Sequence, residues 1–166
     1  MAIARSFREL NVYQLARESA QKIFLLSKRF PVEERYALTD QIRRSSRAIK
    51  AMIAEAWARR RYKAAFINKI DEALGESNET QSWLDDCADC LYISAEEFNQ
   101  LDGSYTSIGS MLARMIDRAN DFCKNPAATD YRSRTDRVGE ESSSDNTDAL
   151  EDFFRHSPLT THQSHS

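Results

Sequence analysis

Ser94-Ala-Glu-Glu97-Phe98-Asn-Gln-Leu101-Asp-Gly-Ser-Tyr105-Thr-Ser-Ile108-Gly-Ser-Met-Leu112-Ala-Arg-Met115-Ile116 opens on a helix-start signal and runs on with helical spacing. Ser94 and Glu97 stand three residues apart. At that spacing a hydroxyl and a carboxylate each satisfy one of the other's backbone N–H groups. Phe98, Leu101, Tyr105, Ile108, Leu112, Met115, Ala119 and Phe122 then share one face at 100° per residue. Asn125-Pro126 ends the pattern near Lys124. A helix this long with one apolar stripe needs other helices to cover it, so the stretch predicts a bundle.

Upstream the same period recurs. A third helix is predicted from about Tyr62 to Leu91, with Phe66, Ile70, Leu74, Ser77, Gln81, Leu84 and Leu91 inside and an acidic outer face. Gly75 costs roughly 1 kcal/mol against Ala there, which predicts a close helix approach. Trp83 lies off the stripe and is read as packing on a second surface. The second helix is capped at Thr39, carries Leu38, Ile42, Ser45, Ile49, Ile53 and Ala56 inside, and breaks near Ala58 because Arg60 would fall on the stripe. The first helix runs from about Val12 to Arg29, capped by Asn11, and Phe30-Pro31 ends it because the residue before Pro avoids helical ψ. Short links between amphipathic helices predict an all-α, antiparallel up-down four-helix bundle over residues 7–124.

Residues 125–166 are rich in Ser, Thr and Asp and poor in apolar side chains. They bury too little to offset the entropy of ordering, so a disordered acidic and polar C-terminal tail is expected. Asp148–Arg155 is its one patch suited to folding on a partner.

The chain has 3 Pro and 4 Gly, too few turn residues for an all-β fold. No apolar run approaches the roughly 20 residues that span a bilayer. Met1 to Arg8 lacks a secretory signal. Cys87, Cys90 and Cys123 are an odd set, which argues against a disulfide framework and for a cytoplasmic setting. Tyr13, Phe24, Met52 and Trp57 lie outside the core stripes, which predicts self-association.

Catalytic chemistry finds little footing. Cys87 and Cys90 have metal-like spacing but lie inside a predicted helix without a second pair. A di-iron bundle needs Glu-x-x-His pairs, whereas His156, His162 and His165 all fall in the tail. No phosphate loop or nucleophile–base arrangement fits the folded part. No metal site, no cofactor and no enzymatic activity are expected. Glu55 is read as a structural ion-pair partner.

The signal is charge. Net charge is −3, yet residues 43–69 carry nine basic residues against Glu55 alone, and residues 71–102 carry ten acids and no base. On the second helix Arg43, Arg47 and Lys50 share one flank, and Arg61 joins them if the helix runs that far. Trp57 and Tyr62 adjoin the run. Cations beside aromatic rings suit phosphate contacts with nearby stacking. The competing reading pairs the basic and acidic segments between subunits.

Phe7-Arg-Glu-Leu-Asn-Val-Tyr-Gln-Leu-Ala16, Phe30-Pro-Val-Glu-Glu-Arg-Tyr-Ala-Leu-Thr-Asp-Gln-Ile-Arg-Arg-Ser45 and Ile53-Ala-Glu-Ala-Trp-Ala-Arg59 resemble a known family. It is the four-helix-bundle family encoded by intervening sequences in bacterial large-subunit ribosomal RNA genes, whose fold is shared by accessory proteins of diversity-generating retroelements. The resemblance implies a homopentameric ring or barrel with a basic surface, and members of the retroelement branch bind nucleic acid, RNA or DNA, and act beside a reverse transcriptase. Carried over, Arg43, Arg44 and Arg47 are the leading contacts, with Lys50, Arg59, Arg60, Arg61 and Lys63 next. Ala48-Ile-Lys-Ala-Met52 and Ala56 stand where the family usually has Ser-Ile-Pro-x-Asn and Gly, so a more continuous second helix is expected up to the break near Ala58. The expected function is therefore a non-enzymatic, homo-oligomeric nucleic-acid-binding accessory protein. A protein-only scaffold is the alternative.

Overall fold

The computed structural model describes residues 4–123, and these are helical with no strand among them. Four long helices, α1 (Asn11–Leu26), α2 (Leu38–Arg59), α3 (Lys63–Asp89) and α4 (Ala95–Asp117), are followed by a short α5 (Ala119–Cys123). Sequential helices pack on each other, and α1 closes the ring against α4. The short links make neighbours antiparallel, so the molecule is the up-down bundle that the periodicity predicts. The expected tail, its Asp148–Arg155 patch and its three His lie outside the described residues.

The buried positions explain how the helices close. On α3 they are Phe66, Ile70, Ala73, Ser77, Thr80, Leu84 and Cys87, and on α4 Leu101, Tyr105, Ile108, Leu112 and Met115. Steps of four and three alternate in both, the seam that left-handed bundle packing uses. The inner face of α3 thus differs from its predicted one. Leu74 and Gln81 are half-buried beside the seam, and Leu91 lies past the helix end and is exposed. Gly75 is also reassigned. A Cβ built there meets nothing within 4 Å, so no close approach requires it. Trp83 packs partly against the core and donates its indole N–H to Glu79 on its own helix, 3.1 Å away.

The helix ends are corrected as well. Asn11 is the first residue of α1 rather than its cap, and Leu10 holds the cap position. The α-helical part of α1 stops at Leu26 and tightens into a 3-10 turn over Ser27–Arg29, before Phe30 turns extended ahead of Pro31. Thr39 is buried inside the first turn of α2. The carboxylate of Glu34 takes its place, accepting the Leu38 N–H at 3.3 Å. The 3-10 turn Val32–Glu34 carries that carboxylate over the helix start, a placement local patterns do not reveal. α2 runs without interruption to Arg59, the continuity expected without the family's Pro and Gly, and ends one residue past the predicted break near Ala58. The last predicted helix breaks at Arg118, and α5 folds onto α3, stacking Phe122 on Phe66 with ring centroids 5.6 Å apart.

Candidate functional site

The basic residues of α2 do not act as one strip. Arg44 bridges to Glu79 of α3 at 3.3 Å, and Arg59 pairs with Glu55, which also holds Lys69 at 3.3 Å. Lys69 further donates to Glu72 at 2.5 Å, and that bond raises its proton affinity above the usual lysine value. Glu55 is thus the ion-pair partner read from the sequence. Arg60 is only 6% exposed and leaves the list of surface contacts. Its guanidinium lies 4.1 Å from the Trp57 ring centroid and donates to the Trp57 carbonyl at 2.7 Å. Burial lowers its proton affinity, because the charged form is denied water. Arg61 and Lys63 are exposed, but the helix ends before Arg61, so it does not join the Arg43 flank.

The remaining cations of α2 meet α1. Arg43 donates from Nε to Ser27 Oγ at 2.7 Å. The Phe24 ring gathers three cations, with Lys28, Arg43 and Arg47 at 4.9, 5.1 and 5.3 Å from its centroid. Each contact is worth about 0.5–1 kcal/mol at an exposed site. Next to this cluster a groove of about 1040 Å³ runs along the α1–α2 seam. Arg8, Arg17, Lys22, Arg47 and Lys50 line it, beside Tyr13 and Phe24, with Glu18 as its one acid. None of these five cations forms an ion pair among the described residues.

Half of this site escaped the sequence reading. Arg8, Arg17, Lys22 and Lys28 come from the first quarter of the chain, where no basic run draws the eye. A signal exists in Tyr13, Arg17, Phe24 and Lys28, which share a helical face away from the core stripe. Tyr13, Phe24, Met52 and Trp57 are half-buried within the chain, so the surplus apolar surface expected for self-association is largely covered.

None of the acidic residues of α3 lines the groove. Asp71, Asp85, Asp86 and Asp89 are exposed. Among the described residues no three His, Cys, Asp or Glu side chains gather in a way that holds a metal ion. The cysteines are free, and burial pushes the Cys87 thiol up to about 12. No helix of the described residues is long and apolar enough to cross a membrane.

Comparison with known proteins now places the fold. Residues 8–114 match the model of the 23S rRNA-intervening sequence protein family. The chain belongs to that family. A crystal structure of a protein of unknown function from the S23 ribosomal protein family of Bacteroides thetaiotaomicron is 34% identical, with a TM-score of 0.57. The match covers 63% of this chain and 97% of that one. No curated protein matches. The family match spans the groove from Arg8 to Lys50, so all five cations lie within the matched residues.

Proposed function

We propose that the α1–α2 groove binds nucleic acid through its phosphates. One observation carries this: five cations free of ion pairs among the described residues line a single groove with one acid among them. Cations held close together repel, and an incoming polyanion relieves that repulsion while releasing its own counterions. Binding is electrostatic and largely independent of base sequence. Assembly of several copies belongs to the same proposal. It rests on the family resemblance and on exposed apolar side chains such as Leu25, and it multiplies weak contacts. The resemblance read from the sequence to retroelement accessory proteins would extend this reading to a strand handed to a reverse transcriptase.

A filter-binding titration of RNA at rising salt tests the groove. Affinity should fall steeply with salt, and Arg17→Ala/Arg47→Ala/Lys50→Ala should flatten the slope by about 2, at about 0.7 per single-strand phosphate contact. Arg44→Ala should change little, because that guanidinium already has Glu79. Salt-independent binding, or a triple variant that binds like the parent, would overturn the assignment. Light scattering across the same salts separates it from a protein-only scaffold, whose copies come apart as salt rises without ever retaining RNA.

A further inference from the structure

Resting on that reading, we propose that the ligand is single-stranded and that Tyr62, at the α2–α3 turn, stacks on one of its bases. The groove lies between two packed helices, whose axes stand about 8–10 Å apart. A duplex keeps its bases paired inside and can offer such a cleft only phosphates and sugars, whereas a single strand can lay its backbone there and turn its bases out onto an aromatic ring. All five cations line this one groove, where a single backbone would meet them together.

The aromatic residues divide by what covers them. Phe24 is surrounded by three cations, and Trp57 lies under Arg60. Tyr62 has no cation over its ring among the described residues and is 65% exposed. Its neighbours Arg61 and Lys63 are exposed and unpaired among the described residues. The backbone fixes it, because its N–H donates to the Arg59 carbonyl at 2.8 Å and its carbonyl accepts from Phe66 at 3.0 Å. A ring on an anchored backbone, with a cation before and after it in the chain, offers a face for a base and nearby charges for the phosphates. From Lys50 to the end of α2 at Arg59 the helix advances roughly 14 Å. A strand in the groove therefore reaches the turn within a few nucleotides.

The molecule supplies its own control. Tyr36 is 88% exposed in the α1–α2 link, at the opposite end of α2, in a stretch with Glu33 and Glu34. It offers an equal ring whose preceding residues Glu33, Glu34 and Arg35 sum to one negative charge, in place of a cation on either side.

The test is fluorescence anisotropy on the full chain with two dye-labelled probes. One is an oligouridylate of about 15 nucleotides, on the order of known single-strand site sizes, and the other an RNA duplex of the same length. The single strand should bind at least tenfold tighter. Tyr62→Ala should weaken it about tenfold to a hundredfold, the loss of one stacked base, and leave the salt slope unchanged. Tyr62→Phe and Tyr36→Ala should bind like the parent. Thermal melting of each variant should match the parent, since both rings are exposed. The proposal is overturned if the duplex binds as well as the strand, if Tyr62→Ala binds normally, or if Tyr62→Phe loses binding too. In those cases salt-dependent affinity still upholds the groove. No binding of either probe at low salt removes both readings.

Discussion

Leu91 adopts φ 58°, a left-handed conformation that costs a residue with a Cβ about 1–2 kcal/mol. The cost is accepted because it closes α3. The Tyr92 N–H reaches the Cys87 carbonyl and the Leu91 N–H the Ala88 carbonyl, both at 2.9 Å, which satisfies two orphan acceptors. The side chain itself is 87% exposed and packs little. Gly75 is the converse, a flexible residue inside a helix with open space where a Cβ would go. Exchanging the roles should therefore stabilise twice. Leu91→Gly and Gly75→Ala should each add about 0.5–1 kcal/mol. Their effects should sum, because the sites are far apart along α3. Urea unfolding midpoints check this, and a loss in Gly75→Ala would show that the position has a contact after all.

Among the elements, the start of α4 ties sequence, cap and tertiary contact together. Ser94 Oγ accepts the Glu97 N–H at 3.1 Å, and the Ser94 N–H donates back to Glu97 Oε2 at 2.9 Å. Arg29, from the end of α1, reaches Glu97 Oε1 at 2.6 Å. The backbone bond from Ser94, helped by Arg29, holds the Glu97 carboxyl below the usual carboxylate range. A depressed folded-state value favours the fold wherever Glu97 is ionised. Its contribution is complete above the unfolded value of about 4.3 and is lost as pH falls through the folded one. Urea unfolding between about pH 6 and pH 3 should show the parent weakening as acid is added. Glu97→Gln keeps an oxygen for the cap but carries no charge, and its stability should vary less over that window. An unchanged pH profile in Glu97→Gln would sink this account. Ser94→Ala should cost about 1 kcal/mol at neutral pH.

At the scale of the whole molecule, the bundle core is not uniformly apolar. Ser19, Ser45, Ser46, Ser77 and Thr80 are buried at the helix interfaces. Thr80 Oγ1 lies 2.9 Å from Ser45 Oγ and 2.8 Å from the Glu76 carbonyl, and Ser77 Oγ donates to the Tyr105 carbonyl at 3.4 Å. The Tyr105 hydroxyl is buried nearby, and burial pushes its proton affinity well above the ordinary tyrosine value. Small hydroxyl residues let α2 and α3 approach closely, and their bonds favour one register over a slipped one. Thr80→Val should cost about 1–2 kcal/mol, because it leaves Ser45 without its cross-helix partner. Ser45→Ala/Thr80→Val should cost less than the two singles together, as coupled partners do. Strict additivity in thermal melts would mean that the cross-helix bond contributes nothing.

The sequence by itself determined four amphipathic helices, their order, the Ser94–Glu97 cap and the stop at Phe30-Pro31, because periodicity, capping and proline geometry act within a few residues. It also marked Arg43, Arg47 and Lys50 as one flank of α2, since angular position follows from spacing alone. Only the tertiary structure decided which cations stay free. Arg44 finds Glu79 thirty-five positions away, Arg60 folds over Trp57, and Arg8, Arg17 and Lys22 join Arg47 and Lys50 across a helix seam. Charge pairing depends on distance in space, and a helix period fixes where a side chain points without fixing what stands opposite it.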